Sequence, residues 1–146
     1  MAEVHLVIGV AVLALNLAAG VWGGVAWLTN RASVAFWYIL RAAQASVVVQ
    51  VVLGAILLAL GREASDPIHY MYGSAPLLVN LFAEGMRVGA AQRELPEGIA
   101  FESLGATQQR AIALRIVRRE MGVMTIGALL IVAFAYRAAQ VSGKLF

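Results

Sequence analysis

Residues 4–28 read VHLVIGVAVLALNLAAGVWGGVAWL, twenty-five positions without a charge. A bilayer needs roughly 20 apolar residues in a helix to be crossed, so this stretch predicts a membrane span. A second uncharged run of nineteen residues covers 42–60. The 146-residue chain is 62% hydrophobic and 13% charged, where a soluble domain carries about 25% charged residues. The expected fold class is therefore all-α: an integral membrane up-down four-helix bundle forming one domain.

Local signals divide the chain into four spans, at about 4–28, 34–60, 67–87 and 117–137. Ser33 is the expected N-cap of the second helix, and Gly61 its stop. Asp66-Pro67 opens the third, with the acid as cap and proline at the first helical position. Pro96, Gly98 and Gly105 make 93–106 a cytoplasmic loop. Thr107 is the expected cap of the last helix, which runs to about Ala139. The first segment has no basic start and exceeds the length of a signal-peptide apolar region, so it is expected to remain as a helix.

Lys and Arg set the orientation. If the first helix runs outside to inside, eight arginines (Arg31, Arg41, Arg87, Arg93, Arg110, Arg115, Arg118 and Arg119) fall on the inner side. Arg62, Arg137 and Lys144 fall on the outer side. The expected location is the plasma (inner) membrane, multi-pass, with both termini outside. Trp22, Trp27, Trp37 and Tyr38 then belt the inner interface, and Tyr70 and Tyr72 the outer. The net charge of +3 reflects this bias and implies no nucleic-acid partner.

One pattern occurs twice: His5-x3-Gly9-x6-Asn16 and His69-x3-Gly73-x6-Asn80. It contains both histidines of the chain. Ile39-Leu40-Arg41 and Ile116-Val117-Arg118 repeat similarly, so the chain reads as two helical hairpins related by a pseudo-two-fold along the membrane normal. Histidine in a span is costly unless something uses it. In an up-down bundle the first and third helices are diagonal and parallel, with axes on the order of 11–14 Å apart given neighbours at 8–10 Å. That gap suits a flat macrocycle whose iron takes one imidazole from each side, with His5 and His69 as metal ligands. Gly9 and Gly73 would leave room for the ring, and Asn16 and Asn80 would face the same interface deeper in. Gln50 and Gln44 would add polar groups from the second helix.

The spans and the paired histidines resemble the membrane b-type cytochromes built as four-helix bundles, including the haem A synthase halves. That resemblance implies haem b as cofactor, electron transfer as activity, and membership of a respiratory complex or a homo-oligomer in the lipid bilayer. The four-helix glutathione and eicosanoid enzymes share the size, but their Arg- and Glu-rich motif is absent here.

Two other readings stay open. One is a non-catalytic accessory or assembly subunit, with His, Gly and Asn as helix-packing residues. Its collar of Arg41, Arg115, Arg118 and Arg119 with Glu84 and Glu120 would then bind a lipid headgroup, and Glu84 and Arg87 would pair at i, i+3. The other is a copper protein, since Met71 is a soft ligand near His69, although it lies about 200° around the helix from it. No catalytic set is found: there is no Ser/His/Asp group, no glycine-rich phosphate loop and no HExxH. With no cysteine, thiolate metal sites and disulfide relays are excluded. The middles of the spans hold no charge, which argues against a proton pump or an ion transporter.

Overall fold

A computed structural model describes residues 2–94 and 100–142. Among them the chain is all-helical, with α1 (Ala2–Leu28), α2 (Val34–Ala59), α3 (Ile68–Gln92) and α4 (Ala106–Val141). One 3-10 turn, Phe101–Ser103, precedes α4. Three of the four helices, α1, α2 and α4, are long and apolar enough to cross a membrane. The third expected span forms as a helix but falls short on composition: it carries Ser74, Pro76, Asn80, Glu84 and Arg87.

The helix boundaries follow local chemistry. Asn30 takes a left-handed φ of 56° after α1, which an asparagine tolerates better than most residues. The Arg31 amide then returns to the Ala26 carbonyl at 2.9 Å. Ser33 caps α2 as expected: its Oγ accepts from the Phe36 amide at 3.2 Å and also from the Trp22 indole at 2.9 Å. Gly61 follows α2 with φ of 72°, a conformation that costs glycine nothing. Asp66 caps α3, accepting from the Ile68 amide at 2.9 Å. Thr107 is not the cap of α4. That position belongs to Gly105, and the helix starts at Ala106, two residues earlier than a Thr107 cap would place it. Part of the expected 93–106 loop, 95–99, lies outside the described residues.

Pro76 sits within α3 and is buried. It denies the Tyr72 carbonyl its helical donor, a fault that membrane helices tolerate where neighbours supply compensating contacts.

α4 packs extensively on α1 and α3, and α1 on α2; α2 meets α3 much more sparsely. α1 and α3 do not pack along their lengths. Small residues let the well-packed pairs approach. A Cβ on Gly20 would lie 2.5 Å from Leu129, and one on Gly23 would lie 2.4 Å from both Phe36 and Thr125. On Gly122 it would lie 2.8 Å from Trp27, and on Gly127 3.1 Å from the Cβ of Ala83. Along the α1–α4 seam the residue numbers run in opposite senses, Gly20 with Leu129, Gly23 with Thr125 and Trp27 with Gly122, so these two helices are antiparallel. The core these contacts enclose is modest: Phe36, Leu40, Met121 and Met124 with Ala19 and Ala128, and a second cluster of Val12, Val47 and Ile131. Large apolar residues such as Val7, Leu17, Val25, Val52 and Leu130 stay exposed. That distribution suits a lipid solvent, since hydrocarbon does not penalise an apolar exterior.

The two hairpins are not equivalent. A pseudo-two-fold would match the α1–α4 face to the α2–α3 face, yet the first is closely packed and the second is sparse.

Candidate functional site

The two histidines come together. His5 of α1 and His69 of α3 have ring centroids 6.4 Å apart at an interplanar angle of 60°. Because α1 and α3 are not packing neighbours, this pair crosses the bundle at one end. All four helices contribute there. His69 Nδ1 lies 2.9 Å from the Ala138 carbonyl of α4. His5 Nε2 lies 3.1 Å from the Gln50 amide nitrogen of α2.

These contacts fix the tautomers. A carbonyl can only accept, so Nδ1 of His69 carries the proton and Nε2 keeps the lone pair. An amide nitrogen can only donate, so Nε2 of His5 also keeps its lone pair, engaged by Gln50. Both imidazoles therefore have Nε2 as their basic nitrogen. A ring held through Nδ1–H by a backbone carbonyl, with Nε2 left basic, is the usual arrangement of a metal-binding histidine.

The other expected site residues divide. Gly73 lies one turn below His69, its Cβ position 3.9 Å from Nε2, so there is space on that side. Gly9 lies against Gln50 of α2. The position of its missing Cβ is 3.1 Å from the Gln50 amide nitrogen, so it makes room for Gln50. Asn16 is fully buried and its Nδ2 donates to the Val12 carbonyl of its own helix at 2.8 Å. Asn80 is buried too. Among the described residues no hydrogen bond joins the two asparagines, and Asn16 Oδ1 and Asn80 Nδ2 have no partner.

Two participants carry no advance signal. Gly54, one turn on from Gln50, gives His5 its place: a Cβ there would meet the imidazole Cε1 at 3.3 Å. Ala138 acts through its carbonyl, which no side-chain pattern reveals. Met71 is exposed. No group of three or more His, Cys, Asp or Glu side chains that could hold a metal occurs among the described residues.

The opposite end is ionic. Glu84 of α3 accepts from Arg41 and Gln44 of α2, and from Arg87 one turn on at 2.8 Å. Arg87 also reaches Glu120 of α4 at 3.2 Å and lies 5.9 Å from the Trp37 ring centroid. A second cluster joins Glu94 to Arg115 and Arg119 at 2.9 and 2.8 Å. The expected Glu84–Arg87 pair is present; Glu94 was not anticipated. Comparison with protein-family models, curated proteins and solved structures gives no match to this chain.

Proposed function

We propose that the chain is a small haem b protein of the plasma (inner) membrane, an up-down four-helix bundle with both termini outside. His5 and His69 are its axial ligands. The observation that carries this reading is the meeting of the two histidines of the chain, 64 positions apart in sequence, at 6.4 Å between ring centroids. Two imidazoles on opposite sides of one metal ion, at about 2 Å per metal–nitrogen bond, have ring centres roughly 6 Å apart. The basic Nε2 on each ring and the open side at Gly73 also support it. The residues fit the axial requirement, with one adjustment: the Gln50 amide must swing off Nε2 of His5. The sparse α2–α3 seam is the side from which a flat ring has least packing to displace.

Bound haem would supply one-electron exchange at that face, alone or as the haem subunit of a respiratory complex. The chain's own part is to hold and orient the imidazoles: the Ala138 carbonyl fixes the His69 ring, and Gly54 gives the His5 ring its place. The excess of arginine at the other end of the helices supports the stated orientation.

A second reading is a non-catalytic accessory subunit. It is favoured by the same contacts, because Gln50 and Ala138 engage both imidazoles and tie four helices together without a ligand.

A dithionite-reduced minus oxidised spectrum of protein purified in mild detergent separates the two. A sharp b-type alpha band, lost in His69→Ala and in His5→Ala, is expected. A flat spectrum from cells with ample haem sinks the cytochrome reading and leaves the subunit.

A further inference from the structure

At the arginine end a groove of about 910 Å³ runs between α3 and α4 beside Trp27 of α1, in the size range of ligand pockets. Its floor includes Gly85 and Gly89, one turn apart on α3. A Cβ added to either would meet no atom within 4 Å. So these glycines are not there to let another helix of this chain approach, unlike Gly20, Gly23 and Gly122. The lips are apolar: Leu81, Phe82, Met86 and Ile126 are each more than half exposed.

The head of the groove has the opposite chemistry. Arg93, Arg115, Arg118 and Arg119 line it against one acid, Glu94. Glu94 is committed to Arg115 and Arg119. Arg93 and Arg118 make no ion pair among the described residues. An apolar trough leading to surplus positive charge complements a molecule with a hydrocarbon tail and an anionic head. A bilayer supplies that molecule at high local concentration. We propose that this groove is a binding site for one anionic phospholipid, its acyl chain along Gly85 and Gly89 and its phosphate at Arg93 and Arg118. The proposal needs only a membrane around the helices and does not depend on haem.

The test uses the full chain in mild detergent. Dioleoyl-phosphatidylglycerol and dioleoyl-phosphatidylcholine, which differ only in headgroup, are titrated separately, and retained lipid is counted by native mass spectrometry. One phosphatidylglycerol per chain is expected, with phosphatidylcholine much weaker. Arg93→Gln and Arg118→Gln should each weaken retention about fivefold, the loss growing as salt is lowered. Gly85→Leu with Gly89→Leu fills the trough from positions whose Cβ meets no atom within 4 Å and should weaken it about tenfold or more, by displacing buried methylenes. An unchanged melting temperature shows that this variant still folds. Equal retention of the two lipids overturns the proposal, as does full retention after the trough is filled. Displacement by millimolar inorganic phosphate alone overturns it as well, because the site would then be for a free anion.

Discussion

The histidine end and the arginine end both tie the helices with polar groups, but by different means. At the first, two imidazoles are held by an amide and a backbone carbonyl. At the second, Glu84 gathers two arginines and a glutamine from two helices, and Arg87 passes the network on to Glu120. A charge without a partner is far costlier in a low-dielectric setting than a neutral polar group. Ionic ties are therefore useful where arginine can also reach water, and neutral ties where it cannot. The neutral end can give up a contact to a ligand cheaply. The ionic end cannot, and its surplus charge faces outward into a groove.

The largest expected effect tests that division. His5→Ala and His69→Ala should remove all bound chromophore, while Arg93→Gln and Arg118→Gln should leave the spectrum unchanged. If the arginine variants also bleach the protein, the two ends are not independent.

Next in size are two glycines with opposite surroundings. Gly23→Val forces a side chain onto Phe36 and Thr125 and should cost about 1–3 kcal/mol or more. Gly85→Ala meets nothing and should stabilise by up to about 1 kcal/mol through helix propensity. Thermal unfolding followed by circular dichroism in one detergent compares them; equal melting temperatures would contradict the contrast between packed seam and open groove.

Glu84→Gln comes third. Removing the hub leaves Arg41 and Arg87 facing each other and should cost about 1–3 kcal/mol. Arg41→Gln, whose side chain is 51% exposed, should cost less than about 1 kcal/mol. If Arg41→Gln proves the more damaging, Glu84 is not the centre of the network.

The smallest effect belongs to Gln50→Leu, which removes one neutral hydrogen bond worth about 1 kcal/mol. Since Gln50 engages the basic nitrogen of His5, this variant should keep its chromophore and bind haem at least as tightly as the parent. Loss of the alpha band would mean that Gln50 supports the site instead of competing for it.

Much of the fold was legible beforehand because its signals are local. Uncharged runs, the Ser33 and Asp66 caps and the Gly61 stop act within about one helical turn. The last cap was misread because Thr107 and Gly105 are both plausible, and an unsatisfied helix start can be left to solvent. The histidine pairing was also legible, through the repeated His-x3-Gly-x6-Asn spacing. The Gln50 contact at Gly9 was not: a glycine opens room on a helix face, but which side chain of another helix lies there is not written in its own segment.

By itself the sequence determined four helices and the placement of both histidines near helix starts; it read all four as spans, where three are long and apolar enough to cross a membrane. Those follow from composition and from contacts a few residues apart. Only the tertiary structure decided that His5 meets Gln50, that the Ala138 carbonyl orients His69, that the two halves pack unequally, and that Gly85 and Gly89 open on a groove while Gly20 and Gly23 seal a seam. The reason is the solvent these helices suit. Apolar residues cover α1 and α2 on nearly every side, so hydrophobicity does not mark the inward face. Helix rotation and register are then set by the close fit of small residues and a handful of polar contacts, which become visible only when the helices are brought together.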